Sequence, residues 1–308
     1  MLGLFTLIHP LVDACSIGVL AVGGMSWERV ITYNALAFAL QLPLGVLLDF
    51  FPRSVFAAFL CGTGLAMGAV VCTLAGAEGW TVLCVACVGN ALFHLSAGKQ
   101  VLESHGGRSG PIGLFISTGA LGLMAGQFVV EKCNVSCLLV FAVALVISTG
   151  AAVWKWCRVD RERKNCVMLA KHVAGESSPA LLPMFVLLGL FALIAWRSWA
   201  GLLAGRLTAA GGMILVLFGA LVTWCGKVAG GYLAEQMGRW LVTAVSVCGS
   251  LALAFLCSPE NPVTWLVLIF VAQLATGPVL SLAFDRTDGN GGTAFGLNCL
   301  ALFTGSLW

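Results

Sequence analysis

Charged residues are scarce in this chain: of its 308 residues, 9% are Asp, Glu, Lys or Arg, whereas 60% are apolar. A water-soluble domain carries roughly 25% charged residues, because they are needed to cover its surface. The composition therefore excludes a soluble globular domain and predicts an exterior that faces a lipid bilayer. The net charge of +3 is too small to indicate a nucleic-acid partner.

Motifs for ATP use and for metal-dependent hydrolysis are also missing. The sequence contains no G-x-x-x-x-G-K-[ST] phosphate loop, so ATP is not expected to be the direct energy source. Its four histidines are scattered and include no H-E-x-x-H pair, which argues against a membrane-embedded enzyme. We therefore predict that the protein is not an enzyme and that it has no cofactor and no metal site.

Long apolar runs are what the sequence has in abundance. A helix needs about 20 apolar residues to cross the hydrocarbon core of a bilayer. Ten such runs are 1–22, 28–50, 54–75, 80–102, 111–130, 135–156, 180–204, 211–234, 240–257 and 263–284. An eleventh, 293–308, is barely long enough. The pattern predicts an all-α polytopic membrane protein with about 10–11 transmembrane helices.

The connection 157–179 differs from the other loops because it is long and basic. We interpret 1–156 as an N-terminal six-helix bundle, 157–179 as a cytoplasmic basic loop and 180–308 as an incomplete C-terminal helix bundle. A cytoplasmic N-terminus places eleven Lys and Arg residues in cytoplasmic connections and three on the other side. This asymmetry follows the positive-inside rule and predicts a multi-pass protein of the cell (cytoplasmic) membrane with its N-terminus in the cytoplasm.

A short charged pattern occurs twice, 186 residues apart (45 to 231). Its members are Gly45, Asp49 and Arg53 after the second run, and Gly231, Glu235 and Arg239 after the eighth. The pattern resembles the major facilitator superfamily, in which the loop between helices 2 and 3 carries G-x-x-x-D-x-x-G-R/K and is echoed between helices 8 and 9. Pro52 stands where Gly is usual, and the second copy has Glu in place of Asp.

This resemblance implies a fold of two helix bundles and secondary transport by alternating access. It also implies that the six residues of the repeated pattern lock the bundles together on the cytoplasmic side in the outward-open state. The alternative interpretation of the pattern is a turn with an exposed ion pair, which contributes little. Asp49 lies at a helix C-terminal end, where the helix dipole disfavours a carboxylate, so we expect arginine groups or another helix N-terminus to compensate it.

Within that superfamily the sequence resembles the fosmidomycin-resistance-like drug exporters. The likeness lies in His9-x-x-x-Asp13, in Gly89-Asn-Ala-Leu-Phe93-His94 and in the stretch Gly119–Gly126. Leu95 departs from the pattern, because that branch typically has Pro after the histidine of helix 4. The resemblance implies export, a direction that residue chemistry alone does not supply.

His9 and Asp13 are the first candidates for chemistry inside the membrane. They are four residues apart in the first run and so lie on one face of a helix. A carboxylate beside an imidazole can take up and release a proton near neutral pH, which predicts a proton-coupling pair. The alternative is a hydrogen bond that only packs helices together.

Arg197 and His94 are the other candidates for the substrate or coupling site. The guanidinium fork of Arg197 suits a carboxylate or phosphonate, so it could bind an anionic substrate, pair with Asp13 or snorkel to the membrane surface. His94 lies past the midplane in the fourth run and could be functional or structural. Lys227 and Lys99 are interpreted as residues that snorkel or anchor near helix ends.

Together these patterns predict a secondary transporter that exports small amphiphilic or anionic compounds in exchange for protons. Its partners are then a small-molecule substrate, protons and the lipid bilayer. One alternative is an uptake symporter for an organic anion. The other is a truncated, non-transporting membrane scaffold, because a complete member of the superfamily has twelve helices.

Overall fold

The computed structural model describes residues 1–166, 181–210, 212–256 and 261–307; residues 167–179 of the predicted basic loop lie outside these ranges. The first half holds α1 (Leu2–Val22), α2 (Trp27–Asn34), α3 (Gln41–Phe50), α4 (Val55–Leu74), α5 (Trp80–Ser104), α6 (Ser109–Ser117), α7 (Gly119–Lys132) and α8 (Leu138–Cys166). The second half holds α9 (Leu181–Ala210), α10 (Met213–Met237), α11 (Arg239–Leu256), α12 (Pro262–Gln273), α13 (Thr276–Arg286) and α14 (Gly291–Gly305).

Ten stretches of the described residues are long and apolar enough to cross a membrane. Three of them are built from two helices each, with a break or bulge between α2 and α3, α6 and α7, and α12 and α13. With α14, which has 15 residues, they confirm the predicted all-α fold of ten to eleven spans. α8 continues to Cys166, so residues 157–166 of the predicted loop are helical.

The outer surface of the molecule is apolar. Val140 and Ile147 of α8 are each 68% exposed, and Phe255 of α11 is 89% exposed. A soluble protein rarely exposes apolar side chains in such numbers, whereas lipid tails solvate them well. The exterior predicted from composition is therefore the exterior that the fold presents.

α1 is deeply embedded in the first half, with every residue from Val12 to Leu20 buried. It packs against α4, α5, α6, α7 and α8. The contact with α7 is close, because Gly122 and Gly126 lie directly on the backbone of Pro10 and Ala14, where a Cβ atom would overlap. This packing carries the polar residues of α1 to the junction between α6 and α7.

The helix ends lie on two sides of the molecule. On one side are the connections 51–54, 105–108 and 287–290; we name it the basic side. On the other are the connections 23–26, 75–79 and 133–134; we name it the opposite side. Contacts between helices of the two halves concentrate where α3 meets α14 and where α6 meets α10.

Candidate functional site

The interruption at Thr118, between α6 and α7, shapes the centre of the molecule. A helix that stops leaves its last carbonyl oxygens without intrahelical partners. Here the oxygens of Phe115 and Ile116 accept hydrogen bonds from side chains of other helices: His9 Nδ1 lies 2.7 Å from the first and Lys227 Nζ lies 3.1 Å from the second. The break therefore positions one imidazole and one ammonium.

Asp13 lies between two histidines in a buried cluster. His9 Nε2 lies 3.2 Å from Asp13 Oδ2, and His94 Nε2 lies 3.4 Å from Asp13 Oδ1. Asn90 Nδ2 donates to Oδ1 at 2.8 Å and so holds the carboxylate in place. All four residues are buried, with relative exposures of 7% or less. The structure thus brings together three of the four predicted site residues and adds Asn90.

Arg197 is buried in α9 and faces the interior, so it does not snorkel to the membrane surface. Its Nη1 donates to Gln273 Oε1 at 2.8 Å, while its Nε has no partner among the described residues. Arg197 therefore bonds to Gln273 in this structure and does not form the ion pair with Asp13 that was one of the alternatives. Gln273 is the last residue of α12, and its Oε1 also accepts from Thr276 Oγ1 at 3.1 Å.

A cavity of about 240 Å³ joins the buried cluster to Arg197. We name it the inner cavity; among its lining residues are His9, Asp13, His94, Arg197, Lys227, Gln41 and Asn298. Gln41 Oε1 and Asn298 Oδ1 are buried without a hydrogen-bond partner in the described part of the chain. Unpaired buried acceptors are costly, which makes these two atoms natural partners for donors of a bound molecule.

Lys227 corrects the sequence interpretation, because its ammonium turns into the inner cavity rather than towards a helix end. Gln41, Asn298 and Gln273 were not singled out by the sequence patterns. Each is a single uncharged polar residue within an apolar run, and this isolation is the feature of the sequence that could have marked it as a cavity residue.

A second cavity, of about 540 Å³, adjoins the first and is named the outer vestibule. Both cavities are lined by Phe38, Leu123 and Arg197. The outer vestibule extends to Met25 and Gln127, near the opposite side. The inner cavity is therefore approached from the opposite side of the molecule.

Asp49 closes the basic side between α3 and α14. Its carboxylate accepts from the backbone N–H groups of Gly292 at 2.9 Å and Thr293 at 2.7 Å, and from Lys99 Nζ at 2.5 Å. The expected helix N-terminus is present, because these two amides begin α14. The cation is Lys99 rather than an arginine, and Lys99 is 3% exposed and also contacts Glu103, so it is not a surface anchor.

Glu235 occupies the corresponding position between α10 and α6. It accepts from the backbone N–H of Gly110 at 2.9 Å and pairs with Arg108 Nη2 at 2.6 Å. The Arg108 pKa is raised, chiefly by its hydrogen bond to Glu235. The two acidic residues of the repeated pattern thus each cap the start of a helix from the other half of the chain.

The remaining residues of the pattern differ in their contacts. Arg239 Nη1 pairs with Asp285 Oδ2 at 2.6 Å, whereas Arg53 is exposed. Gly45 lies directly on the backbone of Gly292, and Gly231 on that of Ser109, so a Cβ atom at either position would overlap. The small residues allow the close approach that brings each acidic group to its helix start.

Solved structures of other proteins share the fold of this chain. A point variant of the E. coli fucose:proton symporter FucP matches with a TM-score of 0.58 and 13% identity over 99% of this chain and 88% of that one. The fold is similar to that of the major facilitator superfamily transporter FucP. A bacterial homologue of the iron transporter ferroportin in an outward-facing state shares this fold, with a TM-score of 0.56 and 16% identity over 99% of this chain and 90% of that one.

A second structure of FucP, in the outward conformation, matches the major facilitator fold of this chain with a TM-score of 0.55 and 12% identity, over 98% and 89% of the two chains. At these identities the likeness concerns the fold alone. No protein-family model and no curated protein matches this chain in sequence.

Proposed function

We propose that the protein is a secondary transporter that works by alternating access and couples transport to protons. The supporting observation is the inner cavity, which holds a buried His–Asp–His cluster on one wall and Arg197 and Lys227 on another. Ionisable groups are costly inside a membrane and usually mark the path of a substrate or proton. The major facilitator fold is typical of transporters rather than enzymes.

The proposed substrate is a small anionic compound, amphiphilic in shape. Arg197 Nε and the Lys227 ammonium offer donors for a carboxylate or phosphonate. Gln41 Oε1 and Asn298 Oδ1 offer acceptors for hydroxyl or amino groups. Apolar walls formed by Phe38, Leu123, Phe295 and Leu302 would hold the hydrocarbon part. The similar folds belong to a fucose:proton symporter and to a homologue of an iron transporter, so the fold alone does not select the substrate.

The proposed orientation places the basic side in the cytoplasm, with the protein in the cell membrane, in line with the positive-inside rule. The outer vestibule then faces outwards, and the contacts of Asp49 and Glu235 act as the lock of an outward-open state. Export in exchange for protons follows the resemblance to the fosmidomycin-resistance-like branch. The alternative function is an uptake symporter for an organic anion, in which the same residues would bind the substrate and the proton.

The experiment that tests this function uses proteoliposomes with an internal pH dye, an imposed pH gradient and a panel of organic anions. We expect compound-dependent proton movement in the wild type. Arg197→Gln should raise the half-saturating concentration roughly 10- to 100-fold, because a hydrogen bond to a charged group is worth about 1.5–3 kcal/mol. Arg197→Lys should retain part of the affinity, because lysine keeps the positive charge but lacks the paired N–H donors of the planar guanidinium group.

The matched control is Arg29→Gln, which removes an arginine near the opposite side and outside the inner cavity. It should leave the half-saturating concentration unchanged. If Arg197→Gln behaved like this control, the anion site would not be at Arg197. Absence of proton movement with every compound, in well-folded protein, would favour a non-transporting scaffold.

Gly119 supplies a second test, because a Cβ atom there would lie 2.5 Å from Asp13 Oδ2 and 2.7 Å from His9 Nε2. Gly119→Ala should lower proton-driven flux about tenfold, since overpacking a tight site costs roughly 1–3 kcal/mol. The matched control is Gly150→Ala, where a Cβ atom meets open space. Equal flux in the two variants, measured at equal amounts of inserted protein, would contradict a coupling role for the cluster.

A further inference from the structure

The two histidine rings of the buried cluster are both held by a backbone carbonyl. His9 Nδ1 lies 2.7 Å from the oxygen of Phe115, and His94 Nδ1 lies 2.8 Å from the oxygen of Asn90. A carbonyl oxygen only accepts hydrogen bonds, so each Nδ1 must carry the proton. In the neutral rings Nε2 is then the atom with the free lone pair.

Both Nε2 atoms point at the Asp13 carboxylate, at 3.2 Å and 3.4 Å. Two lone pairs that face a carboxylate in a buried site repel it, unless a positive charge lies between them. Protons on both Nε2 atoms would supply that charge, and so would one metal ion. Histidines that bind a metal typically donate their other ring N–H to a carbonyl or carboxylate, and this is the arrangement here.

We propose that His9, Asp13 and His94 form a binding site for a divalent transition-metal ion. Their three ligand atoms lie within 4.8 Å of one another. Metal–ligand bonds of about 2.0–2.2 Å place tetrahedral ligands about 3.4 Å apart, close to the two His–Asp distances.

The chemistry of the ligands selects the class of metal. Two imidazoles and one carboxylate suit Zn²⁺, Fe²⁺ or Co²⁺, whereas Mg²⁺ and Ca²⁺ prefer ligand sets made of oxygen. Three protein ligands leave coordination positions open towards the inner cavity, where water or an anion can fill them. Arg197 and Lys227 line the same cavity, so an anion held there would balance the added positive charge.

The site departs from the sequence-based prediction that no metal is bound. His94 lies 81 residues after Asp13 in the sequence (13 to 94). No short sequence motif indicates that its ring lies next to His9 and Asp13 in the fold. The proposal rests on the proposed function only in placing the metal in a transport cavity, as cargo or as part of the substrate site. Metal binding itself is measurable in protein that transports nothing.

The test is equilibrium titration of purified full-length protein with Co²⁺ and Zn²⁺, followed by the visible absorption of bound Co²⁺. We expect one metal per chain, and at least about 100-fold weaker binding in Asp13→Asn and in His94→Asn, because even residues behind the ligands contribute 10- to 100-fold. His105→Asn is the matched control, since its ring lies at the end of α5 and bonds to Ser104 and Val101.

Asp13→Cys separates metal binding from a purely structural or proton-carrying role. A thiolate is a metal ligand of similar reach, so this variant should keep the metal and gain a thiolate-to-cobalt charge-transfer band. Cys84 and Cys87 form a C-x-x-C pair in α5 and are the native thiols to control for. The double variant Cys84→Ser/Cys87→Ser should keep the wild-type cobalt spectrum, which excludes this pair as the source of the absorption. Unchanged affinity in His94→Asn, or no stoichiometric metal in the wild type, would overturn the proposal.

The metal site and proton-coupled transport can be tested independently of each other. Stoichiometric metal without proton movement in proteoliposomes would support the metal site and count against proton-coupled transport. Proton-coupled transport without metal binding would overturn the metal site, and the positive charge beside Asp13 would then be carried by protons alone.

Discussion

Asp13→Asn is expected to abolish proton-driven transport, with flux falling at least about 100-fold to the level of empty liposomes. The amide has the shape of the carboxylate and can still bond to Asn90, so the protein should remain folded and inserted. It cannot take up a proton, and it no longer offers His9 and His94 an anion beside which a charged imidazole is stable. The measurement is pH-dye fluorescence in proteoliposomes under an imposed gradient.

The matched control is Asp288→Asn, which makes the same chemical change in the exposed turn 287–290. Asn tolerates the positive φ of 53° found there, so this variant should transport like the wild type. Equal flux in Asp13→Asn and Asp288→Asn would remove Asp13 from the coupling role. Exchange of labelled for unlabelled substrate across the membrane, measured without a pH gradient, should persist in Asp13→Asn. This exchange would show that the inner cavity still binds substrate.

Asp49→Asn is expected to open the basic side. The carboxylate bonds to two backbone amides, to Thr293 Oγ1 and to Lys99. Removing one member of such a partly buried network costs about 2–3 kcal/mol, which is roughly 30- to 140-fold in the ratio of closed to open forms. Hydrogen exchange at the start of α14 measures this directly, because the amides of Gly292 and Thr293 are protected by Asp49.

Glu235→Gln provides the internal comparison for that result. Its partner Arg108 has a side chain 64% exposed, and exposed ion pairs contribute about 1 kcal/mol or less. We therefore expect faster exchange at the start of α6 by less than about tenfold. The expected order of effect is Asp49→Asn, then Glu235→Gln, with Asp288→Asn unchanged. Identical exchange in all three would show that the contacts do not hold the basic side closed.

Much of the fold could be predicted because a membrane span has a simple signature. The ten apolar runs correspond to the ten stretches found in the structure, since length and hydropathy alone decide whether a helix can cross a bilayer. The interruptions could not be predicted in this way. Thr118, the π-helical turn Ala35–Ala39 and the junction after Gln273 all lie inside runs whose composition does not change.

The candidate site was predictable in part for a similar reason. His9, Asp13, His94 and Arg197 stand out because charged and imidazole groups are rare and costly in an apolar run. Their arrangement depends on contacts between distant helices, which a single sequence does not contain. Arg197 could have faced Asp13 or the membrane surface, and only the position of Gln273 at the end of α12 decides its partner.

The hydrogen bond from Lys227 to the carbonyl oxygen of Ile116 joins α10 to α6. A bound anion competes with that oxygen for the same ammonium, and a charged acceptor is the stronger of the two. Binding of an anion would therefore replace a hydrogen bond between two helices with a hydrogen bond to the anion. In the transport cycle proposed above, the empty protein would keep this hydrogen bond and the loaded protein would lose it. The bond would then oppose movement of the empty protein, which would leak protons.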